Sequence, residues 1–122
     1  MTDANGIPLA TTLTGANRHD VTQLTTLVEN VPAVAGKPGR PRYRPDPLYA
    51  DRAYDSEDHR QWLRRRGIMP YLARRNTEHG SGLGVYRWVA ERTLSWQHQF
   101  KRLRTRWERN GTIHEAFMKL AC

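Results

Sequence analysis

A chain of 122 residues bounds the answer to one small domain, or part of one, with a modest core. Its 20 Lys+Arg outweigh 12 Asp+Glu to leave +8, and all the cations except Lys37, Lys101 and Lys119 are arginine, whose planar fork suits phosphate. A polyanionic partner follows, unless codon bias alone made the chain Arg-rich. With no run of about 18 apolar residues and no basic-then-apolar leader, the expectation is a soluble cytoplasmic protein without a membrane partner. The single cysteine, Cys122, rules out an internal disulfide and argues against a structural zinc site.

Residues 1–14 read as a hairpin: a short arm at Met1–Asp3, a connection at Ala4-Asn5-Gly6, then Ile7 to Thr14 extended. Asp20 is placed to cap a helix from about Val21 to Val31, with Leu24, Leu27 and Val28 inward. Residues 32–47 hold five prolines and two glycines together with Lys37, Arg40, Arg42 and Arg44. That composition predicts a basic loop, either an arm along a DNA backbone or a solvated connector.

Leu48-Tyr49-Ala50 suits a short buried strand, and Asp51 stands at its end. Asp55 or Ser56 caps the next helix, with Trp62 and Leu63 inward, Arg60, Arg64, Arg65 and Arg66 largely outward, and Gly67 as its stop. Ile68 to Ala73 reads as a second strand, with Pro70 marking an edge or bulge. Strands alternating with helices predict an α/β sheet, which the opening hairpin makes mixed. Residues 74–84 are expected to form a mobile loop.

Val85 to Arg109 lacks Gly and Pro and predicts one long helix. Its apolar stripe comprises Val85, Trp88, Val89, Trp96, Phe100, Leu103 and Trp107, with the tryptophans in the core rather than acting as stacking platforms. Arg87, Glu91, His98 and Arg102 line a different side. Arg92 falls inside the stripe, where it must snorkel or pair with an acid such as Asp51. A break at Asn110-Gly111 precedes an amphipathic stretch, Thr112 to Cys122, with Ile113, Ala116, Phe117, Leu120 and Ala121 on one face.

An acid at the carboxyl end of a parallel strand projects into the crevice outside the sheet, which makes Asp51 the leading candidate. A helix packed on that sheet can bring Glu91 to the same mouth, where a hard divalent cation offsets the repulsion between two carboxylates. The alternative is a capping Asp and a salt-bridged Glu with no ligand.

YADRAYDS around Asp51, the Arg-rich helix before Gly67-Ile68, RWVAERTLSW at residues 87–96, FKRLRTRWER at 100–109 and the opening TDANGIPLATTLTGANRHD together resemble the C-terminal part of bacterial DDE-class insertion-sequence transposases. The resemblance covers essentially the whole chain. It implies an α/β, ribonuclease-H-like mixed sheet flanked by helices, with the N-terminal strand missing. It also implies three carboxylates holding two Mg²⁺ or Mn²⁺ ions, DNA nicking by water, and joining of the freed 3′-hydroxyl to target DNA. Asp51 matches the second Asp and Glu91 the terminal Glu, while the first Asp belongs to a strand upstream of the hairpin; Asp3 matches the turn instead. Arg87 keeps its place in the family's helix pattern, but Gly84 stands where a Tyr is found and His98 where a Lys is found.

The implied partners are transposon-end and target DNA, contacted by Arg87, His98, Arg102, Arg42 and Arg44. A homodimer is compatible, a small-molecule substrate is not expected, and the expected location is the bacterial cytoplasm near the nucleoid. Lacking the first Asp, the chain is expected to be a truncated and by itself inactive fragment. A non-catalytic basic nucleic-acid-binding module, and a decayed product that never folds stably, stay open as alternatives.

Overall fold

A computed structural model describes residues 1–15, 17–36, 38–76 and 84–121, leaving aside the Val85 side chain. The expectations for most of the 74–84 loop, Lys37, Val85 as a core residue and Cys122 lie outside these residues.

The centre is a parallel pair of strands, β1 (Pro47–Ala50) and β2 (Met69–Leu72), in register Pro47↔Met69 through Ala50↔Leu72. Between them runs α2 (Glu57–Arg65). Gly67, at φ +70°, ends that helix as the sequence predicts; its amide donates to Arg64 O at 2.9 Å and the Ile68 amide to Leu63 O at 3.0 Å. Alternation along the strands sends Leu48 and Leu72 into a core with Leu24, Val28, Leu63 and Ile68, leaving Tyr49 and Tyr71 on the opposite face. Leu63 and Ile68 are the most completely buried, each contributing about 1.5–3 kcal/mol.

The expected hairpin is short and tight. The Asp3 carboxylate accepts the amides of Asn5 and Ile7, both at 2.8 Å, and Gly6 takes φ +87°. The two arms pair briefly: the Asp3 amide donates to Ile7 O and the Leu9 amide to Met1 O, both at 2.9 Å, on either side of a single bridge, Thr2↔Pro8, where Pro8 sits at a non-hydrogen-bonded position and its missing N–H costs nothing. Among the described residues no strand follows as far as Thr14 and the hairpin joins neither strand of the central pair, so the predicted mixed sheet does not form. The chain keeps an α/β architecture with a purely parallel two-stranded sheet.

Helix entry near residue 20 also differs. Thr22 turns both its hydroxyl (2.8 Å) and its amide (3.0 Å) to His19 O, tightening the start into a 3₁₀ turn, Asp20–Gln23, ahead of α1 (Leu24–Glu29). Asp20 lies inside that turn and does not cap it. The helix ends before Val31, whose α conformation Pro32 disfavours.

Arg60 is the main correction in α2. It is buried at 7% exposure, not outward. The predicted long helix is also interrupted: α3 (Gly84–Gln97) and the single turn α4 (Lys101–Arg104) are separated by an extended Phe100, and α5 (Gly111–Leu120) follows, capped by Asn110 accepting from the Thr112 amide at 2.9 Å. The stripe expected to hold the helix straight is not buried. Val89 is covered, whereas Trp88, Trp96 and Phe100 are about half exposed and Trp107 is 67% exposed. A helix whose apolar face finds no partner has only marginal local propensity to keep it continuous. On α5, likewise, Leu120 and Ile113 are exposed while His114 is buried.

What anchors α3 is polar. The Thr93 hydroxyl donates to Gly6 O and Arg92 Nη2 to Asn5 O, both at 2.7 Å, so the helix docks on the opening turn. Among the described residues Arg92 pairs with no acid; its guanidinium lies 4.4 Å from the Trp88 ring and 5.0 Å from the Trp96 ring, so π faces meet the charge in the stripe. Among the described residues no helix is long and apolar enough to cross a membrane.

Candidate functional site

Asp51 occupies the first position beyond β1. Its extended backbone (φ −75°, ψ −178°) caps the 3₁₀ turn Arg52–Tyr54, and its Oδ1 accepts the Ala53 amide at 2.9 Å. The carboxylate is exposed and forms no ion pair among the described residues. Next to it, burial pushes the Tyr54 phenol pKa up, reinforced by the negative charges of Asp20 and then Asp51. Asp20 therefore belongs to the surroundings of Asp51, a proximity that a helix-entry role read from sequence does not reveal.

The turn bearing Asp51 is braced from below. Arg60 Nη1 lies 2.5 Å from Asp55 Oδ1, and Arg60 Nη2 donates to Leu72 O at 3.1 Å, tying α2 to the end of β2. The Arg75 amide donates to Asp55 Oδ2 at 2.7 Å, while its guanidinium reaches Arg52 O (3.1 Å) and Ala53 O (3.3 Å). Asp55 thus accepts from α2 and from the exit of β2. These donors hold its carboxyl below the usual carboxylate range, the Arg75 amide first and Arg60 second. Sequence reading treated Asp55 as a cap and Arg60 as a surface cation. They pair with each other five positions apart, but the partners that fix both, Leu72 and Arg75, lie 12 and 20 positions away, beyond any local signal.

Glu91 is exposed on α3 and held by Arg87 at 3.2 Å, one helical turn earlier. The hydrogen bonds described for Asp51 and Glu91 each stay within the residue's own neighbourhood. The nearest described link between their elements is aromatic: Tyr86 of α3 stacks on Tyr49 of β1, two residues before Asp51.

The other predicted contact residues are dispersed. His98 is exposed just past the end of α3, and Arg102 pairs with Glu108 at 3.3 Å and covers the Phe117 ring at 4.7 Å. The break after Gln97 removes the single row that Arg87, Glu91, His98 and Arg102 were expected to form. Arg42 pairs with Asp46, and Arg44 donates to Arg66 O, so both loop cations have local partners. The Arg42 pair is exposed, and such pairs exchange readily for a phosphate.

Divalent cations of the Mg²⁺ or Mn²⁺ kind need several oxygen ligands converging on one point. Among the described residues, no three His, Cys, Asp or Glu side chains are grouped so as to hold a metal ion. The described side chains therefore do not make up a complete cation site.

Fold and site together describe an Arg-rich α/β unit with an acid displayed at the mouth of a parallel strand pair. A family model described as Transposase DDE domain matches residues 1–122, and the chain belongs to that family. A putative transposase for insertion sequence element IS402 from Burkholderia cepacia is 61% identical over 122 residues, covering 100% of this chain and 58% of that relative. The chain thus spans less than two thirds of the curated relative it matches. No solved structure matches it.

Proposed function

We propose that the chain serves DNA transposition as the portion of a DDE transposase catalytic domain that carries two of three active-site acids, Asp51 and Glu91, on a ribonuclease-H-like framework. The observation that carries this reading is the position of Asp51, at the carboxyl end of a parallel strand, in a chain whose full length matches the family. The charge of +8 supports DNA as partner, with Arg87, His98, Arg102, Arg42 and Arg44 as backbone contacts. In the intact enzyme, Asp51 and Glu91 would be two of the acids holding Mg²⁺ or Mn²⁺, which would supply Lewis-acid chemistry there. This chain's own share is to display Asp51 on a braced turn and to hold Glu91 ready beside Arg87.

Two carboxylates carry too little negative charge to retain two cations in Arg-rich surroundings, so these 122 residues by themselves are expected to be inactive. A nicking assay on supercoiled DNA with Mn²⁺ tests this: no nicking is expected, and robust nicking abolished by Asp51→Asn overturns the inactivity. A second reading, a non-catalytic nucleic-acid-binding module, is favoured by the Arg87–Glu91 pair and the lack of a grouped ligand set among the described residues. Titration calorimetry with Mn²⁺ separates the two. The transposase reading requires a weak heat that falls with both Asp51→Asn and Glu91→Gln, whereas the binding module shows none that depends on Glu91.

A further inference from the structure

Three tyrosines stand in one column beside Asp51. The Tyr49 and Tyr71 rings, brought opposite each other by the parallel register, lie 4.8 Å apart and within 11° of parallel. The Tyr86 ring covers the other side of Tyr49 at 4.1 Å and 15°. All three remain exposed, at 37%, 46% and 49% for Tyr49, Tyr71 and Tyr86. Aromatic pairs in folded proteins commonly meet edge to face or offset and bury most of their surface. In this three-ring parallel column the end rings, Tyr71 and Tyr86, instead keep nearly half of their surface exposed.

We propose that this column is a stacking platform for an unpaired nucleobase of single-stranded DNA, seated against the outer face of Tyr71 or Tyr86. Paired bases hide their faces inside the duplex, whereas an unpaired base can extend an aromatic stack in a sequence-tolerant way. The charge around the column suits a polynucleotide. Arg87 follows Tyr86 on α3, and its side chain is 60% exposed, paired among the described residues with a similarly accessible Glu91 that a phosphate can displace. Strand alternation places Asp51, two residues beyond Tyr49 with extended backbone, on the side of the sheet that carries the column. A base held there keeps its phosphodiester near the candidate acid. The inference rests on the transposase reading only for the identity of the polynucleotide.

The test is fluorescence anisotropy of the full chain with labelled oligothymidylate and with an abasic oligonucleotide of equal length and charge, in EDTA. Wild type is expected to bind the base-bearing strand about 5- to 100-fold more tightly than the abasic one. Tyr71→Leu and Tyr86→Leu are expected to erode that ratio, and Tyr71→Phe and Tyr86→Phe to keep it. Equal affinity of wild type for the two strands overturns the proposal without needing any variant to fold. So does a ratio unchanged in both leucine variants when their far-ultraviolet dichroism matches wild type. Self-association that buries the column, seen as a dimer by sedimentation and lost in Tyr86→Leu, also overturns it. Because no metal is present, the outcome is independent of nicking: a base-dependent ratio without Glu91-dependent metal heat sinks only the transposase reading, and the converse sinks only the platform.

Discussion

Arg60 and Asp55 meet at 2.5 Å beneath the turn that presents Asp51, with side chains only 8% and 18% exposed. Removing one member of a buried pair leaves the other without its counter-charge. Arg60→Met is expected to lower unfolding stability by about 1–3 kcal/mol, because the partly enclosed Asp55 loses one donor and keeps the Arg75 amide. Urea denaturation measures it; a change within experimental error refutes the brace.

The same pair sets an acid limb. With its carboxyl held below the ordinary value of 3.8, Asp55 binds a proton less readily in the folded than in the unfolded chain. Its contribution is therefore fully present above about pH 4 and is lost as pH falls through the lowered folded value. Stability measured between neutral and strongly acid pH should fall less steeply in Asp55→Asn than in wild type at the acid end.

Docking of α3 on the opening turn depends on Gly6. A Cβ there meets Thr93 Oγ1 at 3.0 Å and Arg92 Nη2 at 3.1 Å, at a φ of +87° that L side chains rarely adopt. Gly6→Ala is expected to cost about 1–2 kcal/mol from backbone conformation alone, with a further loss if Thr93 cannot yield. Thermal melts check this. Thr93→Val leaves Gly6 O without its side-chain donor and should lower the melting temperature in the same direction.

Glu108, with its side chain 12% exposed, joins the last helices. It accepts Arg102 at 3.3 Å and lies 3.8 Å from His114 of α5. Glu108→Ala is expected to destabilise this end by about 1–3 kcal/mol and to speed amide exchange along α5 more than along α2. Exchange unchanged in α5 contradicts the assignment.

Exposure of the aromatic stripe has its own signature. Trp88, Trp96 and Trp107 are open to solvent, whereas Trp62 is half-buried with the Arg66 guanidinium 3.7 Å from its ring. Acrylamide should therefore quench most tryptophan emission, with a minor protected fraction removed by Trp62→Phe. Predominantly protected emission would mean that the stripe is covered in solution.

By itself the sequence determined the elements whose signals are local. Gly67 as a helix stop, the strand at Leu48–Ala50 with Asp51 beyond it, the break at Asn110-Gly111 and the inward Leu24, Val28 and Leu63 follow from turn chemistry and apolar spacing within a few residues. The motifs around Asp51 and Glu91 likewise carried the family, because they are strings of adjacent residues. Tertiary structure alone decided which charges are buried and which apolar faces are not. Arg60 is enclosed because Asp55 and the Leu72 carbonyl, distant or across a turn in sequence, both satisfy it. The tryptophan stripe stays exposed because helical periodicity specifies a face and cannot supply the surface it packs against. Whether a side chain ends in the core or in water depends on partners brought from elsewhere in the chain.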